Sequence, residues 1–227
     1  MNAELIVALD VPTVEKAHHL FNLLAPVVST FKIGYWLLFD PEIHILIQAI
    51  KAAGRDWFLD AKLNDIPETV KHGVMSAAKL GAKFITVHSD EAMLRAAMEG
   101  KNQSVDPSIR VMAITALTSQ SSAGSRLQFR AGLANALVAH CDGVIMSPAD
   151  LNDPFTALVI TDAYGLIIAT PGVRMAGDSI NDHGRSGTPA RAVADGADYI
   201  IVGRPIVRAD DPLAQAKSFI SQIENCE

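Results

Sequence analysis

The sequence has few of the features that mark several large classes of protein. It contains only two cysteines, Cys141 and Cys226, in neither a CxxC pair nor a zinc-ligand spacing, so we expect reduced thiols and no disulfide framework. No apolar run approaches the roughly 18 residues of a membrane-spanning helix. The first residues lack the basic stretch that opens a secretory signal peptide. A formal net charge of −6 provides no basic field for nucleic acid or an anionic membrane. These absences predict a cytoplasmic protein with neither kind of partner.

The composition that is present suits one compact globular domain, expected to cover residues 1–227. Of its residues 49% are hydrophobic and 19% are charged, and the mean hydropathy is positive. A chain of this length can bury a large core, although it lies at the upper end of single-domain sizes. No linker, low-complexity tract or clear short-period repeat divides it.

Short apolar runs alternate with segments of helical periodicity along the whole chain. The runs that read as strands are Leu5–Asp10, Val27–Gly34, the stretch that begins at Trp57, Phe84–His88, Arg110–Thr115, Gly143–Ser147, Leu166–Gly172 and Tyr199–Arg204. Strands that are apolar throughout and separated by helices indicate a parallel sheet covered on both faces. Eight such units predict an α/β fold, a single (β/α)8 TIM barrel, with a doubly wound open sheet as the alternative. Either fold places its chemistry at the C-terminal ends of the strands.

Polar residues lie at or just beyond the ends of many of these strands. They are Asp10, Lys32, Asp60, Lys62, His88, Thr118, Ser147 and Arg204. The densest group is Asp60, Lys62 and Asp65, where the first two lie two positions apart and so share one side of a strand. An unpaired buried charge costs several kcal/mol, so this group is either a structural ion pair at a strand end or part of a site. Its recurrence on many strands favours a shared polar site.

Three of these residues also have a simpler interpretation. Asp10 could cap the helix that follows it, and Ser147 could be the N-cap of a helix at Pro148. His88 is expected to be a core or supporting histidine rather than a catalyst.

The last two strands carry the pattern of a phosphate site. Thr170–Arg174 leaves the seventh strand and leads into a long polar segment that runs to about Thr188, a length typical of functional loops. Gly203 and Arg204 end the eighth strand. In barrels the loops after strands seven and eight often bind phosphate, and arginine offers a bidentate donor for it.

Six motifs in order give the chain a resemblance to a known family. They are Val7–Asp10, Lys32–Gly34, Asp60–Pro67, Leu117–Ser119, Thr170–Arg174 and Val202–Pro205. Together they resemble the orotidine 5′-monophosphate decarboxylase family over nearly the whole chain. The DxKxxD pattern alone is shared with a wider suprafamily of phosphate-binding barrels, whereas the ordered set is far more specific.

The resemblance implies that the protein converts orotidine 5′-monophosphate to uridine 5′-monophosphate with no cofactor and no metal. Asp10 and Lys32 would hold ribose hydroxyls, and Lys32 would also belong to the catalytic charge array. Asp60 would lie against the substrate carboxylate, and Lys62 would protonate C6 of the pyrimidine. Asp65 would act in the same array from the partner subunit of a homodimer.

The resemblance also implies the remaining contacts. Ile66 and Thr69 would reach the neighbouring subunit's site with Asp65, and Thr118 would bind the pyrimidine edge. The substrate-binding residues on the phosphate side would be Pro171, Arg174, His183, Gly203 and Arg204. His183 departs from the pattern, because bacterial members commonly carry glutamine there; an imidazole can still donate a hydrogen bond.

Two other functions remain open at this point. A sugar-phosphate enzyme of the same suprafamily, such as a Mg²⁺-dependent 3-keto-gulonate-6-phosphate decarboxylase or a hexulose-phosphate synthase, shares DxKxxD. Those relatives tend to have an acidic metal ligand where this chain has Lys32, which favours the metal-free reaction. A non-catalytic phosphate-binding barrel has no need for the charges of Asp60, Lys62 and Asp65.

Overall fold

Eight parallel strands close into a barrel in the computed structural model, which describes residues 3–116, 123–156, 165–175 and 187–225. The strands are β1 Glu4–Ala8, β2 Thr30–Ile33, β3 Asp56–Leu63, β4 Phe84–His88, β5 Arg110–Ile114, β6 Gly143–Ile145, β7 Ile167–Pro171 and β8 Tyr199–Val202. Each pairs in parallel with the next, and β8 pairs with β1. The predicted (β/α)8 barrel is therefore confirmed over the open-sheet alternative.

Helices follow the strands on the outside of the barrel. Those with described bounds are α1 Val14–Leu24, α2 Tyr35–Leu38, α3 Ile43–Ala52, α4 Pro67–Leu80, α5 Glu91–Gln103, α6 Ala123–Val138, α7 Pro148–Leu151, α8 Pro189–Ala194, α9 Arg204–Val207 and α10 Pro212–Glu224. Within the described residues, no helix combines the length and apolar character that crossing a membrane requires.

Local sequence signals explain where the helices begin and end. The buried face of α1 consists of Val14, Ala17, Leu20, Phe21 and Leu24, which is the predicted helical spacing. The side chain of Thr13 accepts a hydrogen bond from the Lys16 amide, so Thr13 rather than Asp10 caps this helix. Ser147 is the N-cap of α7 in a capping box with Asp150, as its simpler interpretation expected.

The strands bury both of their faces, in two separate apolar layers. The layer inside the barrel contains Ile6, Ala8, Phe58, Phe84, Met112, Ile114, Ile145, Ala169 and Ile201. Phe84 and Tyr199 begin their strands and pack with their ring centroids 5.3 Å apart, which fills the N-terminal end of the barrel. Because the large side chains lie at that end, the cavity opens at the C-terminal end of the strands.

Helices α4 and α5 pack so closely that a glycine is required between them. A Cβ atom added at Gly100 would collide with the backbone carbonyl oxygen of Lys71, which cannot rotate away as a side chain can. We expect Gly100→Ala to lower the free energy of unfolding by about 1–3 kcal/mol, the usual cost of overpacking. This cost should exceed the gain of up to ~1 kcal/mol in helix propensity.

Urea unfolding followed by circular dichroism measures that change. Asn102→Ala is the matched control, because Asn102 is exposed on the same helix and its replacement should change stability by less than about 0.5 kcal/mol. Equal stabilities for Gly100→Ala and Asn102→Ala would contradict the packing argument.

Candidate active site

A cavity of about 440 Å³ opens at the C-terminal end of the barrel. Its lining combines apolar interior residues with charged residues from the strand ends: Ala8, Asp10, Lys32, Trp36, Phe58, Asp60, Lys62, Thr86, Ile114, Ala116, Ile145, Pro171, Gly172, Arg174, Ile201, Gly203, Arg204 and Arg208. A mostly apolar pocket with a few convergent polar groups is the usual form of a small-molecule site.

Two lysines share one carboxylate oxygen on the cavity wall. Oδ2 of Asp60 lies 2.9 Å from Nζ of Lys32 and 2.7 Å from Nζ of Lys62. Nζ of Lys32 also lies 3.2 Å from both carboxylate oxygens of Asp10. Gly34 leaves room for this arrangement, because a Cβ atom there would come within 2.9 Å of Oδ1 of Asp10. The result is an alternating chain of charges: Asp10, Lys32, Asp60, Lys62.

The pairing changes the proton affinities of the inner two groups. Burial alone would raise the pKa of Asp60, but the adjacent ammonium groups of Lys32 and Lys62 outweigh it and lower the pKa to about 2. Burial likewise would lower the pKa of Lys32, yet the carboxylates of Asp60 and Asp10 raise it above its ordinary value. Both groups are therefore ionised at neutral pH.

Lys62 adopts an unusual backbone conformation at the end of β3. Its φ is 46°, in the left-handed region, which costs a residue with a side chain roughly 1–2 kcal/mol. The register between β3 and β4 shifts between Leu59 and Leu63, the signature of a bulge. The amide of Lys62 donates to Oγ1 of Thr86 at 2.8 Å instead of to a strand carbonyl. Bulges commonly re-aim a side chain beside an active site.

The ends of β7 and β8 add two arginines to the same cavity. Arg174 is buried, and its amide donates to the carbonyl of Gly187 at 2.9 Å. Pro171 and Gly172 precede it, and Gly172 has a φ of 81°, which suits glycine. Arg204 begins α9 directly after Gly203. Two guanidinium groups in one pocket could hold a phosphate through bidentate hydrogen bonds.

Most of the predicted site residues with a described position line this one cavity. They are Asp10, Lys32, Asp60, Lys62, Pro171, Arg174, Gly203 and Arg204. Asp65, Ile66 and Thr69 do not line it: all three are exposed, and the Asp65 carboxylate accepts a hydrogen bond from the Ile66 amide at 2.7 Å. Thr118 and His183 lie outside the described residues.

Three cavity residues with polar side chains, Thr86, Trp36 and Arg208, were not predicted from the sequence. Thr86 alternates with Phe84 and His88 on one side of β4, so the period of the strand could have identified it. Trp36, on α2, donates from its indole nitrogen to the Val11 carbonyl at 2.7 Å. Arg208 follows α9 by one residue, and its sequence position alone carries no signal.

His88 is not among the cavity-lining residues. Partial burial and the nearby charge of Lys62 lower the pKa of its imidazole. The supporting, non-catalytic role expected for His88 stays a prediction.

Metal-ligand geometry is not evident around this cavity. Over the part of the chain that the structure describes, no group of three or more histidine, cysteine, aspartate and glutamate side chains could hold a metal ion. The carboxylates of Asp10 and Asp60 converge instead on the ammonium of Lys32.

The chain is similar to one family over nearly its whole length. A model described as "Orotidine 5′-phosphate decarboxylase / HUMPS family" matches residues 3–219. An orotidine 5′-phosphate decarboxylase of Rhodopseudomonas palustris is 41% identical over 230 residues, which covers 96% of this chain and 94% of that protein. One of Cereibacter sphaeroides is 40% identical over 222 residues and covers 93% of each.

Solved structures show the same likeness. The crystal structure of orotidine 5′-phosphate decarboxylase from Lactobacillus acidophilus has a TM-score of 0.81 and 29% identity, covering 98% of this chain and 99% of that one. An uncharacterized conserved protein from Geobacillus kaustophilus has a TM-score of 0.78 and 27% identity, covering 96% and 99% respectively.

The lowered pKa of Asp60 makes a prediction about acid stability. A carboxylate whose pKa falls on folding stabilises the protein above its unfolded pKa of 3.8, and that contribution is lost as pH drops toward about 2. We expect the difference in unfolding free energy between wild type and Asp60→Asn to shrink by about 2 kcal/mol between pH 6 and pH 2.

Urea unfolding of both proteins across that pH range measures the difference. Asp210→Asn removes an exposed carboxylate and controls for the change in net charge. A difference between wild type and Asp60→Asn that stays constant with pH would show that Asp60 is not held ionised by its two lysines.

Proposed function

The chain belongs to the orotidine 5′-phosphate decarboxylase / HUMPS family, and from this premise we propose that it converts orotidine 5′-monophosphate to uridine 5′-monophosphate and CO2. It is a carboxy-lyase of pyrimidine-nucleotide synthesis, and its relatives from Rhodopseudomonas palustris and Afipia carboxidovorans are named orotidine 5′-phosphate decarboxylase. The observation that carries the proposal is the chain of charges from Asp10 to Lys62, which lines one cavity with Arg174 and Arg204. We propose that residues 1–227 form a single catalytic domain that works in the cytoplasm.

Lys62 supplies the proton in the proposed reaction. The bond between C6 and the carboxylate carbon breaks, CO2 leaves, and the electron pair stays on C6. The ammonium of Lys62 stabilises this negative charge and then gives C6 a proton, which Lys62 regains from solvent. Electrostatic stabilisation of this kind needs a positive charge fixed before the reaction begins, and the 2.7 Å ion pair with Asp60 fixes the ammonium.

Asp60 acts on the group that leaves. A substrate carboxylate bound against Asp60 is repelled by its negative charge, and the repulsion disappears when neutral CO2 departs. The low pKa of Asp60 keeps it ionised for this role. Lys32 and Asp10 hold the other side of the array, where they bind ribose hydroxyls.

The remaining part of the substrate is held by the loops after β7 and β8. Arg174 and Arg204 bind the phosphate beside Pro171, at the end of β7, and Gly203, which follows β8. His183 adds a hydrogen bond. Thr118 binds the edge of the pyrimidine. Binding energy from a phosphate remote from C6 can be converted into stabilisation of the transition state.

Lys32 favours this reaction over Mg²⁺-dependent sugar-phosphate chemistry, which the family description also covers. An ammonium lies between Asp10 and Asp60, within 3.2 Å of a carboxylate oxygen of each. A divalent cation at that position would meet a fixed positive charge and would lose both carboxylates as ligands. The proposed reaction therefore uses neither metal nor cofactor.

A homodimer would complete the charge array. Asp65, Ile66 and Thr69 are exposed and outside the cavity of their own chain. Large apolar side chains are exposed on the segments that follow β2 and β3, which are neighbours in the barrel: Tyr35 46%, Trp36 57%, Phe39 82% and Ile66 66%. Several exposed apolar side chains on neighbouring segments favour a protein interface. We propose that a second copy covers it and that Asp65 reaches the partner's cavity.

Lys62→Ala tests the reaction directly. With orotidine 5′-monophosphate as substrate and a chelator present, wild type should remove the orotidylate absorbance, and Lys62→Ala should lose at least about 1,000-fold in kcat with an unchanged melting temperature. A 1,000-fold loss corresponds to a rise of about 4 kcal/mol in activation free energy, which we expect because the variant lacks both the proton donor and the positive charge. Substantial turnover by the variant would exclude the proposed proton donor, and loss of wild-type activity with chelator would reinstate the metal-dependent alternative.

Mixing two inactive variants tests the shared site. Asp65→Ala removes the carboxylate that the chain supplies to its partner's cavity, and Lys62→Ala removes the ammonium from the chain's own cavity. A mixed dimer therefore contains one intact site. Re-equilibrated mixtures should recover up to about a quarter of wild-type activity per site if subunits exchange at random.

The control is Asp65→Ala alone, taken through the same exchange procedure. Absence of recovery after exchange has been verified by mass spectrometry would argue against a shared site while leaving the decarboxylase assignment intact.

A further inference from the structure

Two side chains hold the peptide groups on either side of Lys62. Oγ1 of Thr86 accepts a hydrogen bond from the Lys62 amide at 2.8 Å, and the phenol of Tyr35 donates one to the Lys62 carbonyl at 3.3 Å. These residues come from different strand ends: Thr86 is on β4, and Tyr35 begins α2 after β2. The left-handed conformation of Lys62 is thus held by one hydrogen bond at its nitrogen and one at its carbonyl.

The hydroxyl of Thr86 has only one possible orientation. Because an amide can only donate, Oγ1 of Thr86 must accept from Lys62, and its single proton is left for the second contact, Oδ1 of Asp60 at 3.0 Å. Thr86 is almost completely buried, so water does not compete for either bond. One hydroxyl therefore links the backbone of Lys62 to the carboxylate that pairs with its ammonium.

Tyr35 holds the same residue from the solvent side. Nζ of Lys62 lies 5.9 Å from the centroid of the Tyr35 ring, within the range of a cation–π contact. Burial and the charge of Asp60 raise the pKa of the phenol. The hydroxyl therefore keeps the proton that it donates to the Lys62 carbonyl at neutral pH.

The strand itself does not fix this conformation. The regular pairing of β3 with β4 stops at Leu59 and resumes at Leu63, so the residues between them lack ladder partners in register. Leu63 packs so closely against α4 that a Cβ atom at Gly73 would come within 2.9 Å of it. The bulge is anchored at both ends, and between them the side chains of Thr86 and Tyr35 bond the backbone of Lys62.

We propose that Thr86 and Tyr35 are positioning residues that hold Lys62 in its left-handed conformation and so aim its ammonium at the reacting carbon. The inference rests on the proposed function, since it assigns these residues a purpose only if Lys62 is the proton donor. Neither residue donates the proton itself. Without them, Lys62 can relax toward an extended conformation, which turns Nζ away from Asp60.

The variants remove one hydroxyl each. Thr86→Val keeps the shape of the side chain but leaves the Lys62 amide without an acceptor, and we expect kcat to fall about 10- to 100-fold. Tyr35→Phe keeps the ring and removes only the longer hydrogen bond, at 3.3 Å, so we expect a fall of about three- to tenfold. Thr86→Ser retains the hydroxyl and should stay within about threefold of wild type.

A purely structural role would not produce the same set of measurements. The dissociation constant of uridine 5′-monophosphate, measured by calorimetry, should change less than about threefold in each variant while kcat falls. The double variant should lose less than the product of the two single effects, because both bonds hold one residue. Tyr35 is half-exposed, so Tyr35→Phe keeps the test available if Thr86→Val does not fold.

Matched controls make the same substitutions elsewhere in the barrel. Thr30→Val replaces a buried threonine on β2 whose hydroxyl has no hydrogen-bond partner among the described residues, and Tyr199→Phe acts at the opposite end of the barrel. Both variants should retain wild-type kcat. Wild-type kcat in Thr86→Val and Tyr35→Phe, or failure of Thr86→Ser to retain activity, would overturn the proposal. Activity in Lys62→Ala would instead overturn the proposed function, so the two failures are distinguishable.

Discussion

The sharing of one Asp60 oxygen between two ammonium groups is the constraint on which the site depends. Lys32 and Lys62 approach that oxygen to 2.9 and 2.7 Å, so their mutual repulsion is tolerable only while Asp60 is ionised. Asp10 balances the outer face of Lys32. Within one chain, the two carboxylates and the two ammonium groups of the array cancel, which explains how four ionisable groups persist at the end of an apolar barrel.

The barrel provides this array through adjacent strands. Asp10, Lys32 and Asp60 follow or end β1, β2 and β3, which pair in parallel and in order. Parallel pairing brings strand ends to one edge, so residues that are 22 and 28 positions apart in the chain come within hydrogen-bond distance. Glycine at position 34 keeps that edge open for the Asp10 carboxylate. The fold therefore determines the distances, and the sequence determines which charges occupy them.

Periodicity made the barrel and much of the cavity predictable. The apolar spacing of Val14 to Leu24 matches the buried face of α1, and the strand-end rule selected Asp10, Lys32, Asp60 and Lys62, which line the cavity. The left-handed turn at Lys62 was not predictable, because it depends on Thr86 and Tyr35 from other strands. The short helix α2 was not predicted either, and the predicted strand Val27–Gly34 is longer than β2, which covers only Thr30–Ile33.

The charge balance of the array has a consequence for the proposed substrate, which carries a carboxylate at one end and a phosphate at the other. Because Lys32 and Lys62 are already neutralised, a carboxylate that enters beside Asp60 brings uncompensated negative charge into a poorly solvated pocket. In the proposed complex, the phosphate binds instead to Arg174 and Arg204, which line the cavity from the ends of β7 and β8. Favourable binding of the phosphate thus forces the carboxylate against Asp60. When CO2 leaves, the negative charge passes to C6, where the proton of Lys62 neutralises it, and the array regains its balance once Lys62 takes a proton from solvent. A site built this way favours the transition state over the bound substrate.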